Sequence, residues 1–69
     1  MKEFYVVFDS WGEYFFKKEE NAINFLWKEY MKNLTGQETI EEINKTRLQL
    51  EEYWFIPDFG EIDIREFED

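Results

Sequence analysis

The chain has 69 residues, 17 acidic and 8 basic side chains, a formal net charge of −9, and neither histidine nor cysteine. This composition excludes disulfide frameworks, cysteine nucleophiles, histidine bases and zinc sites built from His or Cys. A chain of this length forms at most one domain, so we expect residues 1–69 to make a single small acidic domain.

The beginning of the chain contains an apolar run from Phe4 to Phe8. That run is shorter than the core of a signal peptide, about 7 to 15 residues, and far shorter than a membrane span of about 20. We therefore expect a cytoplasmic protein without a membrane partner.

A β-hairpin is predicted at the start, because residues 4–8 and 13–17 are rich in valine and aromatic side chains and are separated by a turn containing Gly12. Successive residues of a strand point to opposite faces. The first strand therefore has Phe4, Val6 and Phe8 on one face and Tyr5 and Val7 on the other. Both faces are apolar, and a single layer of helices can cover only one of them.

Residues 18–34 carry apolar side chains at steps of three and four, which predicts an amphipathic helix. Its apolar stripe consists of Ile23, Leu26, Trp27, Tyr30 and Leu34.

A second helix is predicted from residue 40 to about residue 53, because Thr39 and Glu42 have the spacing of a capping box. We expect the two helices to be antiparallel neighbours, since the linker between them is short. Arg47 interrupts the second stripe, and its stem is expected to lie along the core edge with its charged head in water. The stripe comprises Ile40, Ile43, Leu50 and Trp54.

The last part of the chain begins with a turn, in which Pro57 fixes one φ angle and Gly60 tolerates a left-handed one. Residues 61–67 alternate as a strand does, with Ile62 and Ile64 on one face. Residues 53–56 fit either a short strand or the exit from the helix. The predicted fold is α+β: a small antiparallel sheet, in the order ββαα then one or two strands, with a two-helix hairpin packed on one face.

Catalytic chemistry is poorly supported by the sequence. Ser10 is the only serine, and no histidine is present to act as its base. No run of acids has the spacing of a calcium loop, so we expect neither a metal nor another cofactor. We expect no enzyme, with a carboxylate-based hydrolase as the hypothesis that a Glu or Asp to amide change would test.

Negative charge is concentrated toward the carboxyl end: residues 51–69 hold eight acids and one base. Glu61 and Asp63 lie two apart in the predicted strand, so they form a row on one face at about 6.6 Å spacing. Glu51 and Glu52 could extend that row, and the spacing is comparable to that of successive phosphates. The competing interpretation is a solubilising surface that blunts a sheet edge.

Aromatic residues are too numerous for a core beneath two helices, which indicates a binding surface in which acids surround tyrosine and tryptophan. The rings in question are Tyr5, Trp11, Tyr14, Phe16, Phe55 and Phe59. We predict a partner-binding surface made of Glu51, Glu52, Asp58, Phe59, Glu61, Asp63, Glu66, Tyr5, Trp11 and Tyr14.

These features favour a non-enzymatic module that acts as a nucleic-acid mimic and blocks a basic, nucleic-acid-handling surface of a partner protein. Direct binding to nucleic acid is disfavoured, since phosphate repels an acidic chain. In its small size, acidity and lack of catalytic groups the chain resembles phage-encoded inhibitors of host defence, such as anti-CRISPR proteins, a likeness of type that no motif carries. The alternative is a self-associating structural or assembly protein whose aromatic sheet face forms a homodimer or larger homo-oligomer.

Overall fold

The computed structural model describes residues 2–67 and combines one antiparallel sheet with two helices. The elements in chain order are β1 (Lys2–Asp9), β2 (Gly12–Phe16), α1 (Glu19–Lys32), α2 (Ile40–Tyr53), β3 (Phe55–Ile56) and β4 (Gly60–Phe67). The four strands lie in the order β2-β1-β4-β3. The predicted α+β class, the hairpin, the two helices and the two closing strands are confirmed.

The two central strands fix which residues face the helices. Val7 of β1 lies opposite Ile62 of β4, and both side chains belong to the buried core cluster with Leu26 of α1 and Leu50 of α2. The predicted alternation along β1 is therefore correct. At the β1–β2 turn the Asp9 Oδ1 atom accepts hydrogen bonds from two successive backbone N–H groups, which is typical of aspartate in tight turns.

The helical layer over the sheet is formed mainly by α1. This helix contacts β1, β2 and β4, and its Ala22 and Leu26 side chains have no exposed surface. The second helix contacts α1 and the short strand β3 that follows it. The result is an elongated molecule of 46 × 23 × 16 Å, whose smallest dimension corresponds to one sheet and one layer of helix.

The second helix begins where its capping box predicts. Thr39 Oγ1 accepts from the Glu42 N–H at 3.1 Å, and the Glu42 carboxylate accepts from the Thr39 N–H at 3.3 Å. Just before this cap, Glu38 accepts hydrogen bonds from the backbone N–H and the hydroxyl of Thr35, which lower the pKa of its carboxyl group. Carboxylates thus organise the linker between the helices.

The apolar stripe predicted for α2 is only partly correct. Leu50 is buried, but Ile40 is 78% exposed. The buried residue Leu50 lies in the last turn of α2, which leads into β3, whereas Ile40 begins the first turn, which lies away from the core. Arg47 differs from the expectation of a charged head in water, because its guanidinium lies 5.3 Å from the Trp27 ring centroid and 3.2 Å from a Glu51 carboxylate oxygen.

The β3–β4 turn differs from the prediction in one respect. The Ile56 carbonyl accepts from the Phe59 N–H, and the left-handed residue is Asp58, with φ of 61°, instead of Gly60. Aspartate tolerates this conformation better than most residues. Gly60 is required for another reason: a Cβ atom there would lie 2.7 Å from the Phe8 carbonyl oxygen and 2.9 Å from Leu26 Cδ1.

The core assignment predicts unequal effects of truncating two leucines. Leu26→Ala should lower the free energy of unfolding by about 2 to 5 kcal/mol, because it leaves a cavity between α1 and the sheet. Leu48→Ala is the matched control, since Leu48 is 63% exposed, and it should change that free energy by less than about 0.5 kcal/mol. Urea denaturation measures both; equal losses would contradict the assignment.

Candidate partner-binding face

Against the sheet face opposite to the helices, here called the outer face, residues 2–67 form no second layer. The strand register gives the residues that share this face with Val6, which lies outside the core cluster beneath α1. They are Lys2, Phe4, Phe8, Glu13, Phe15, Phe55, Glu61, Asp63, Arg65 and Phe67. The outer face thus combines aromatic rings with charged side chains of both signs.

Val6 is fully buried although no helix covers it. Arg65 lies on β4, opposite Phe4 of β1. Its guanidinium, however, lies 5.2 Å from the centroid of the Phe8 ring and 3.5 Å from a carboxylate oxygen of Glu13 on β2. Its side chain therefore crosses β1 on the outer face. We infer that this arginine stem, together with the neighbouring rings, shields Val6 from water.

An apolar hollow of about 300 Å³ lies at one end of the outer face. It is lined by Phe4, Phe15 and Phe67, whose rings make edge contacts at centroid distances of 5.2 Å for Phe4–Phe67 and 6.0 Å for Phe15–Phe67. Phe15 remains 49% exposed and Phe67 39% exposed. Within residues 2–67, these rings offer apolar surface that no other side chain fully covers.

A second concavity, here called the acidic cleft, lies between the β1–β2 and β3–β4 turns and has a volume of about 340 Å³. Asp58 and Glu61 are exposed and make no ion pair with any residue in the described range 2–67. The residues that line the cleft are Phe8, Asp9, Ser10, Phe55, Ile56, Asp58, Phe59, Gly60 and Glu61. The cleft therefore sets unpaired carboxylates beside aromatic side chains.

Several of the predicted partner-binding residues meet at this end of the molecule. Asp58, Phe59 and Glu61 line the acidic cleft. The exposed Trp11 ring and the Phe59 ring pack edge to face, with 6.2 Å between their centroids. Asp63 follows Glu61 on the outer face of β4. The predicted row of Glu61 and Asp63 on one sheet face is confirmed in position.

The remaining acids of the predicted set lie elsewhere. Glu51 pairs with Arg47, and Glu52 lies on α2 beside Leu48 and Tyr53. In the described part of the chain α2 does not contact β4, so neither acid extends the row on that strand. Glu66 lies opposite Glu3 on the helix side of the sheet, and Glu68 and Asp69 lie outside the described residues.

Tyr5 and Tyr14, which the sequence analysis assigns to the partner-binding surface, lie apart from the acidic cleft and the outer face. Both side chains are half-buried on the face covered by the helices. The centroid of the Tyr5 ring lies 5.8 Å from that of Trp54, and the centroid of the Tyr14 ring lies 4.6 Å from that of Phe25. Phe16 also packs on Phe25. Of the rings named from the sequence, Trp11 and Phe55 are exposed, and the hollow on the outer face is lined by three others, Phe4, Phe15 and Phe67.

Strand alternation and strand register together identify the rings of Phe4, Phe15 and Phe67. Phe4 shares the face of Val6 by position in β1, whereas Phe15 and Phe67 join it only through the register with β2 and β4. A sequence pattern gives the two faces of a strand, but it does not say which face the helices cover.

Within residues 2–67, no cluster of carboxylates has the arrangement of a metal site. Neither of the two helices in this range has the length and apolar character needed to cross a bilayer.

A scan against protein-family models and searches of the curated proteins and of the solved structures found no match to this chain.

The position of Arg65 predicts that its stem matters more than its charge. Arg65→Ala should lower the free energy of unfolding by about 1 kcal/mol, because it removes the contacts with Phe8 and Glu13 and uncovers Val6. Arg65→Met is the matched control that keeps an apolar stem, and it should cost about half as much or less. Urea denaturation distinguishes them; a larger loss for the methionine variant would contradict this role of the stem.

Proposed function

We propose that the protein is a non-enzymatic binding module that docks through the acidic cleft and the adjoining outer face onto a basic, nucleic-acid-binding surface of a partner protein. One observation carries this proposal: Asp58 and Glu61 are exposed, lack cationic partners in the described residues, and border a cleft that the exposed Phe55 ring also lines. Such a cleft suits a lysine or arginine side chain of a partner.

The chemistry of the cleft supports a cationic guest. An ammonium or guanidinium group gains by contact with an aromatic ring as well as by pairing with a carboxylate. Both interactions become more favourable when a docked partner surface excludes water from the group. The chain's net charge of −9 would also steer a basic protein toward this surface and repel acidic competitors.

The row formed by Glu61 and Asp63 supports a partner that normally binds nucleic acid. Residues two apart on a strand are about 6.6 to 6.8 Å apart, which is comparable to the separation of phosphates along a nucleic-acid strand. By occupying a phosphate-binding surface, the module would inhibit its partner. Action in the cytoplasm, and membership of the host-defence inhibitor type, remain predictions.

Self-association through the outer face is the second candidate. It is favoured by the apolar hollow at Phe4, Phe15 and Phe67, which a second copy could cover. The two candidates use different parts of the molecule, because the hollow lies toward the Phe67 end of the sheet and the acidic cleft lies at the turns.

The proposal is tested by immobilising the chain, capturing proteins from a lysate of its host cell, and eluting them with a single-stranded oligonucleotide. We expect a nucleic-acid-binding protein to be retained at low salt and released by the oligonucleotide or by high salt. Glu61→Lys should weaken retention roughly ten-fold, since a like charge then faces the basic partner.

Glu20→Lys is the matched control, because Glu20 is an exposed acid in the first turn of α1 and lies outside both concavities. It makes the same change in net charge and should retain the partner. Equal loss in both variants would show an effect of net charge alone and would contradict docking at the cleft. Recovery of the chain alone, in an assembly that Phe15→Lys dissociates, would support self-association instead.

A further inference from the structure

One edge of the sheet is open along most of β4. Strand β3 has two residues, which pair with Gly60 and Glu61, and the Ile62 N–H then donates to the Trp54 carbonyl oxygen at 2.7 Å. No described residue forms a strand beside β4 beyond that point, although β4 continues to Phe67. The edge from Ile64 to Glu66 is therefore free to receive another strand.

The direction of the backbone groups follows from the bond at Ile62. Its N–H points toward β3, and backbone groups alternate along a strand, so those of Ile64 and Glu66 also point to the open edge. The Ile64 N–H donates to the Oδ1 atom of Asp63 at 2.9 Å, and no described residue pairs with the carbonyl groups of Ile64 and Glu66. The edge thus offers an unused set of strand hydrogen bonds.

We propose that this edge binds an extended, basic segment of the partner protein as an added strand of the sheet. This inference rests on the proposed function for the charge of the partner. The side chains beside the edge indicate the sequence of the segment that would bind. Asp63 on the outer face favours a basic residue opposite it, and Glu66 on the inner face favours a second one. Ile64, which is 40% exposed on the inner face, calls for an apolar residue.

Asp63 acts as a replaceable cap in this proposal. Its carboxylate occupies the Ile64 N–H while the edge is empty, which protects the strand from unspecific pairing. When a strand binds, one of its carbonyl oxygens accepts a hydrogen bond from the Ile64 N–H. A basic side chain of that strand then forms an ion pair with the released Asp63 carboxylate. Full pairing at Ile64 and Glu66 makes four backbone hydrogen bonds, the arrangement used when a peptide extends a sheet.

A second copy of this chain fits the edge less well. In the register that pairs the open stretch of Ile64 to Glu66 with the same stretch of another copy, Asp63 lies opposite Phe67 and Glu66 lies opposite Ile64. Neither carboxylate then faces a basic residue. Both copies would also carry the full negative charge of the chain. A basic segment of another protein pairs with both carboxylates and avoids that repulsion.

The test uses a blocked peptide, Thr-Lys-Thr-Val-Lys-Thr, and its matched control, Thr-Glu-Thr-Val-Glu-Thr, with the whole chain and amide hydrogen exchange followed by NMR. With the lysine peptide at millimolar concentration, exchange of the Ile64 and Glu66 amides should slow at least two-fold. The glutamate peptide should leave both rates unchanged. Ile64→Pro, which removes a donor that β1 does not use, should abolish the slowing at Glu66.

Asp63→Lys serves as a second variant, since it keeps every backbone group and reverses the charge opposite the basic residue. It should also abolish the response to the lysine peptide. Slowing by both peptides alike, or a response only in the acidic cleft, would overturn the proposal for the edge, and the latter would leave the proposed function standing. Slowing that depends on the concentration of the chain without peptide would identify a second copy as the occupant and would likewise overturn it.

Discussion

The organisation of this protein depends on a single constraint: its sheet carries large aromatic side chains on both faces, and its two helices cover only one of them. Val7 and Ile62 lie beneath α1, whereas Phe15 and Phe67 lie on the opposite face, against which the described residues pack no layer. The chain exposes 5217 Å² of surface, compared with about 4,700 Å² expected for a folded monomer of its mass. The additional surface is consistent with an open sheet face and an elongated shape.

Much of the fold could be predicted because local signals agreed with the final packing. The capping box at Thr39 defined the start of α2, and alternation in β1 separated Val6 from Val7 correctly. The position of α2 could not be predicted from its stripe, because its contact with β3 and α1 is a tertiary property. Ile40 fits the helical period but lies at the end of α2 that does not reach the core.

The candidate site was predicted less completely, for a related reason. Glu61 and Asp63 were correctly assigned to one strand face because the period of a strand is local. Which aromatic rings lie on the outer face depends on strand register and on which sheet face the helices cover. The sequence pattern therefore predicts Tyr5 as a surface ring, although it packs on Trp54, and does not identify Phe67. The acidic cleft needs two turns that are distant in sequence, and no short pattern describes it.

The most direct test of an open outer face is NMR of the monomeric chain with a soluble paramagnetic gadolinium chelate. The account predicts strong relaxation enhancement of the ring signals of Phe15 and Phe67 and little enhancement of the methyl signals of Leu26. If the two rings were protected as well as Leu26 at concentrations where the chain is monomeric, the outer face would be covered within one copy and the account would be contradicted.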